Sequence, residues 1–166
     1  MKEKHGRITL DRIDLKILAV LQEEGRITKL KLAERAGLSP TPCWERLQRL
    51  EKAGVITGYH ARVALARVAR ATTIWTEMTL KSHGRADFDR FEAAVREIPE
   101  IVECWATGGG IDYLVRFVVR DVDTYQRLID GMLTAEIGID RYFTYIVTRP
   151  VKDATQLPID RLLDDA

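Results

Sequence analysis

The chain has 166 residues, 46% of them hydrophobic, with a formal net charge of +1. That is enough for one ordinary domain or two small ones with real cores. No apolar run approaches the roughly 18 residues of a membrane span or forms a signal-peptide core, so a cytoplasmic protein with no membrane partner is expected. The near-neutral total hides an asymmetry. Residues 1–65 carry 13 Lys and Arg against 8 Asp and Glu, whereas residues 66–166 carry 13 against 17. A basic front and an acidic back suggest two domains, with a polyanion meeting only the first.

Residues 1–8 are polar and expected to fray. The first helix is predicted over Asp11–Glu24, with Asp11 and Asp14 at its positive end and Ile13, Ile17 and Leu21 on a wide apolar face. Gly25 stops it. Thr28 is placed to cap a second helix reaching Ala36, and Gly37 permits a tight turn. The stretch Leu38–Gly54, LSPTPCWERLQRLEKAG, then reads as a third helix. A residue before proline avoids the helical region, so Thr41 suits the N-cap and Pro42 the first helical position. Cys43, Leu47 and Leu50 form one apolar stripe, and Gly54 stands at the stop. Thr41, Trp44, Glu45, Arg46, Gln48, Arg49 and Lys52 are left facing outward. Arg, Gln and Thr on one helix can reach base edges and phosphates. Helix, short Gly-containing turn and outward-facing helix, preceded by a packing helix, make the tri-helical or winged helix-turn-helix plan.

After Gly54 the period drifts towards two through Val55, Ile56, Tyr59, Ala61, Val63 and Leu65, as in a strand or extended tether. The remainder alternates strand-like and helix-like stretches: Thr72–Lys81, Ala86–Ile98, Ile101–Ala106, Tyr113–Val119, Asp121–Leu133 and Asp140–Thr148. This β-α-β-β-α-β order is the ferredoxin-like unit. Its sheet has helices on one face only. An open face carrying Ile74, Met78, Trp105, Val115 and Phe117 invites a partner subunit. The domains expected are thus 1–65, 66–150 and a polar tail 151–166, anchored by Leu157, Ile159, Leu162 and Leu163.

Arg46 and Arg49 are the leading DNA-contact candidates, since a bidentate Arg–guanine pair supplies roughly 1–3 kcal/mol of discrimination. The bland reading is a solvated face with Glu45 pairing to Arg49. Ser39 and Thr41 stand at a helix N-terminus that suits a phosphate; equally, they cap. Trp44 either packs against the first helix or touches a thymine methyl or sugar. Lys29, with Lys31 and Arg26, is placed for backbone phosphates. Gly108, Gly109 and Gly110 permit positive φ and close approach of a ligand to backbone amides, or serve a hairpin turn alone. Asp112 could hold an α-ammonium group or act as a turn acceptor. His5, His60 and His83 lack partners at ligand spacing, Cys43 and Cys104 form no site, and no nucleophile motif occurs. No metal, cofactor or enzymatic activity is expected.

Several segments resemble the leucine-responsive regulator/AsnC family of transcription factors over roughly residues 10–150. They are Leu10-Asp11, Asp14, Ile17-Leu18, Gly25-Arg26, GLSPTPCWERLQRLEKAGVITGY at 37–59, Ile101–Cys104, the Gly-rich turn with Asp112-Tyr113-Leu114, and Thr144–Val147. The resemblance implies a DNA-binding head and a ligand-responsive domain, dimers that pair through their sheets, higher assemblies, and amino-acid effectors. It also makes Tyr142 and Thr144 effector candidates by position, beside the Gly-rich turn. Two residues depart from the pattern. Trp44 replaces a smaller apolar residue, which bears on DNA preference, and Gly110 replaces an acidic one, which bears on effector identity. Trp44 together with the extension after Pro150 is similar to regulators found beside ectoine-degradation genes. The expected function is sequence-specific regulation of double-stranded DNA targets, tuned by an amino acid or derivative. Alternatives are an architectural DNA-binding protein without effector, and an allosteric subunit whose head docks protein.

Overall fold

A computed structural model describes residues 8–153 and 156–163. The expected fraying of residues 1–7 lies outside them. Among the described residues two compact units form: 8–62 with 152–153 and 156–163, and 63–151.

The first unit is built on α1 (Arg12–Glu23), α2 (Lys29–Ala36) and α3 (Pro40–Lys52). Asp11 caps α1 in a reciprocal box. Its carboxylate accepts from the Asp14 N–H at 2.9 Å, and the Asp14 carboxylate accepts from the Asp11 N–H at 3.0 Å. Thr28 caps α2 by accepting from the Lys31 N–H. Gly37 ends α2 at φ 75°, the left-handed conformation that lets the chain reverse into α3. Ile17, Leu18, Leu32, Ala33, Cys43, Leu47 and Leu50 are buried together as one core, and burial raises the Cys43 thiol pKa.

The start of α3 differs from the expectation. Ser39, not Thr41, is the N-cap, and Pro40, not Pro42, is the first helical residue. Pro42 then occupies the third position, whose N–H would lack an intrahelical partner anyway, so the second proline costs no hydrogen bond. The expected tether strand does not form either. Residues 55–64 join no strand: the Val55 and Ile56 N–H groups bond back to the Leu50 carbonyl at 3.0 and 3.4 Å, and a single 3-10 turn follows at Leu65–Arg67. A strand needs an edge to pair with, and the described part of this unit contains none.

The second unit runs β1 (Thr72–Leu80), α4 (Arg85–Arg96), β2 (Ile101–Ala106), β3 (Tyr113–Val119), α5 (Val122–Thr134) and β4 (Ile139–Ile146). The sheet order is β2-β3-β1-β4, antiparallel throughout, which is the ferredoxin-like topology. β1 and β3 alternate strictly. Ile74, Met78, Val115 and Phe117 pack with Phe91, Tyr125 and Ile129 in the core under α4 and α5. These four therefore do not lie on the open face, as had been expected; only Trp105 of that set does. The register places Trp75, Glu77, Leu114, Arg116, Trp105, Phe143 and Tyr145 there instead. A two-residue period assigns faces only in relative terms, and the larger apolar set goes to the helices.

Residues 156–163, expected as part of a polar tail with Leu157 and Ile159 among its anchors, group with the first unit. Ile159 packs on its core, and residues Ile159–Leu162 make one helical turn.

Candidate functional site

The outward surface of α3 consists of Ser39, Pro40, Thr41, Glu45, Arg49 and Lys52, all exposed, because the Cys43–Leu47–Leu50 stripe faces inward. Two prolines leave only the Ser39 and Thr41 N–H groups free at this helix start. Ser39 makes no side-chain capping bond, so its hydroxyl is available to a phosphate.

Arg46 and Arg49 are not free fingers on a solvated face. Arg46 donates to Asp11 at 2.6 Å and to Asp14 at 2.9 Å, and Arg49 also pairs with Asp14. Asp14 is fully buried. Arg49 thus pairs with α1 rather than with Glu45, which stays exposed. The Asp14 N–H and then the Arg46 guanidinium hold the Asp11 carboxyl below the usual carboxylate range. The Arg46 pKa is raised in turn, first by Asp11 and then by Asp14. The two arginines divide: Arg46 is spent on two carboxylates with its side chain 29% exposed, whereas Arg49 has one partner and is 47% exposed. The sequence shows Asp11 and Asp14 as charges at a helix start; their pairing across more than 30 residues belongs to the tertiary structure.

Trp44 is half-buried against the core, and the Lys29 ammonium stands 3.2 Å from its ring centre. This cation–π contact fixes Lys29 at the start of α2. The pair borders a cleft of about 220 Å³ that also includes Leu47, Glu51 and Tyr59, where the Tyr59 hydroxyl donates to Glu51 at 2.9 Å.

In the second unit, Gly108, Gly109 and Gly110 form the exposed β2–β3 turn. Only Gly109, at φ 137°, needs a conformation that favours glycine, and a Cβ at any of the three would meet nothing within 4 Å. The turn is open to a ligand rather than packed on itself. Asp112 closes the turn: its N–H donates to the Met78 carbonyl at 3.0 Å and its carbonyl accepts from Thr107. Its carboxylate accepts from the Leu80 N–H at 2.7 Å and lies 3.1 Å from His83 Nε2. Sequence spacing hid this His–carboxylate pair, since 29 residues separate its members. Tyr142 pairs with Met78 across β1–β4 and packs on the core. Thr144 and the buried Thr76 both bond to the Tyr125 hydroxyl, at 2.6 and 2.9 Å. Within one chain β1 lies between the turn and β4, so Asp112 and Thr144 do not converge. No cluster of His, Cys, Asp or Glu suited to a metal occurs among the described residues, and none of their helices is long and apolar enough to cross a membrane.

A three-helix head with an exposed third helix, joined to a ferredoxin-like sheet unit, defines a two-domain regulator. Residues 10–57 match a winged helix-turn-helix DNA-binding model, and residues 73–157 match the Lrp/AsnC ligand binding domain. The chain belongs to the Lrp/AsnC family of transcriptional regulators, which are DNA-binding proteins and not enzymes. It is similar to the transcriptional regulatory protein DoeX of Halomonas elongata, with 55% identity over 92% of this chain and 98% of that one. It is also 39% identical to the leucine-responsive regulatory protein of Salmonella typhimurium, over 95% of this chain and 96% of that one. Among solved structures, an AsnC family transcriptional regulator from Agrobacterium tumefaciens superimposes with a TM-score of 0.86 at 36% identity, covering 93% of this chain and 100% of that one. A transcriptional regulator from Neisseria meningitidis, solved as an L-Met complex, does so with a TM-score of 0.86 at 34% identity and the same coverage.

Proposed function

We propose that this protein presents α3 to the major groove of double-stranded DNA as paired heads of a dimer, and that an amino acid or amino-acid derivative bound to the sheet unit alters that binding. The observation that carries the DNA reading is the exposed row of Ser39, Thr41, Glu45, Arg49 and Lys52 on a helix whose other face is wholly buried. Ser39 and Thr41 meet phosphate, and Lys29, held by Trp44, does the same from α2. Arg49 and Glu45 read base edges, a guanine acceptor pair and a cytosine amino group being their natural partners. Arg46 orients α3 through Asp11 and Asp14.

The effector reading rests on the open Gly108–Gly110 turn, with Asp112 and His83 beside it, and on the L-Met complex of a structural neighbour. The turn amides suit a carboxylate and Asp112 an ammonium. Tyr142 and Thr144 belong to a separate strand, so their contribution requires a second subunit. The open sheet face, where Trp105, Phe143 and Tyr145 are each at least half exposed, supports self-association. A cytoplasmic location is consistent with this role.

The test is a thermal-shift and gel-shift screen against amino acids and ectoine-breakdown intermediates, with wild type and Asp112→Ala. A ligand that stabilises wild type, changes its DNA affinity and fails on the variant supports the assignment. A ligand that shifts both proteins equally removes Asp112 from the site. Silence across the panel, with DNA binding intact, favours the architectural reading.

A further inference from the structure

The chain returns to its DNA-binding unit after completing the sheet unit. Residues 63–151 form the sheet unit, and residues 152–153 and 156–163 group with residues 8–62. Three contacts hold the returning segment. The side-chain amide of Gln22, near the end of α1, pairs with the backbone of Leu157: the Leu157 N–H donates to Oε1 at 2.6 Å and Nε2 donates to the Leu157 carbonyl at 3.4 Å. Ile159 inserts against the core of the three helices. Arg62 donates to the Asp153 carbonyl at 3.2 Å and pairs with its carboxylate. The Arg62–Asp153 clasp stands where the outgoing chain leaves this unit and the returning chain rejoins it.

We propose that the C-terminal segment is a second tether for the DNA-binding head, and that it determines which half-site spacings the protein accepts. The inference rests on the reading of paired heads on DNA given above. The outgoing link, residues 63–71 between the head unit and β1, holds a single 3-10 turn and no strand pairing, and by itself behaves as a flexible chain. About ten residues of such a chain have an r.m.s. span of roughly 17 Å, which is about five base pairs at 3.4 Å each. One link also lets the head rotate about it, and a rotated recognition helix meets the wrong face of the duplex. Two covalent links, clasped at their junction with the head, remove that rotation. Half-sites must then lie at one helical phase, near a turn or a multiple of it. The second link is the direct continuation of β4, so a ligand that moves this strand pulls on the head through the strap.

Selection from random duplex DNA tests this without a known operator. Full-length wild type, the double variant Gln22→Ala with Ile159→Asp, and a chain ending at Lys152 are compared, with amide exchange followed on α1 and on the sheet. Wild type is expected to select paired half-sites at one spacing. Both altered chains are expected to select the same half-site with the spacing spread over several base pairs, and to show faster exchange at the end of α1 with the sheet unchanged. If Ile159→Asp unfolds the head, Gln22→Ala alone, outside the apolar core, serves in its place. Identical sharp spacing in wild type and variants overturns the strap, as does unchanged exchange on α1. A wild-type pool without paired half-sites overturns the paired-head reading and this inference with it.

Discussion

Asp14 is the residue on which the head's electrostatics converge. It is buried, accepts from the Asp11 N–H, and takes both Arg46 and Arg49 from α3. Burial of a carboxylate is tolerated only when such partners replace its water. Asp14→Ala is expected to destabilise the head by about 2–3 kcal/mol. A double-mutant cycle with Arg46→Ala in urea unfolding should show strong coupling, and additive losses would dissolve the network. Arg49→Ala, whose guanidinium has one partner, should weaken a preferred DNA site by roughly 1–3 kcal/mol. Equal weakening on random DNA would leave Arg49 a phosphate contact. In the sheet unit Asp121 caps α5. The Thr124 hydroxyl and N–H, then Arg120, pull its pKa down to about 2. A carboxyl whose pKa is lower folded than unfolded stabilises the fold above its ordinary value near 4. That contribution is lost as pH falls from about 4 through 2. Asp121→Asn keeps a good cap and should flatten the acid limb of unfolding in that window, while changing little at pH 7.

At the scale of elements, turns and edges decide the geometry. Gly37 sets the angle between α2 and α3 from φ 75°. A Cβ there would touch nothing, so Gly37→Ala costs backbone strain alone, about 1 kcal/mol, and Gly37→Asn less. Thermal unfolding of the two variants measures the difference. α5 is joined to β1 and β4 by the Tyr125 hydroxyl between Thr76 and Thr144. Tyr125→Phe leaves the fully buried Thr76 hydroxyl without that partner and should cost about 1–2 kcal/mol. Several element boundaries were legible from periodicity, β2 and β3 among them. The α3 start was not, because Ser-Pro-Thr-Pro offers two equivalent caps, and helical packing chose the earlier one. The strand expected after Gly54 failed because alternation without a partner edge does not make a strand.

For the whole molecule, the open sheet face is the surface that asks for a partner. Trp105 and Tyr145 protrude from it, 60% and 50% exposed. Trp105→Asp with Tyr145→Asp should shift the protein to a monomer in analytical ultracentrifugation and leave each unit folded. A wild-type monomer at the same concentration would remove the dimer from the mechanism. On the proposal of paired heads, the return of Leu157 and Ile159 to the helical core bears on the same question.

Local chemistry was enough, by itself, to determine the three-helix head, the βαββαβ order, the buried stripe of α3 and the family. Caps, periods and the SPTPC-x-ER pattern act within a few residues of themselves, so they survive in the linear chain. Only the tertiary structure decided that Asp14 holds both arginines, that Asp112 pairs with His83, that Ile74 and Phe117 face the helices, and that the C-terminal segment belongs with the head. Each of these joins residues 29 or more positions apart or selects one of two faces. Such choices are settled by which arrangement buries the larger apolar set and gives the buried Asp14 carboxylate its partners, a property of the packed chain and not of any stretch within it.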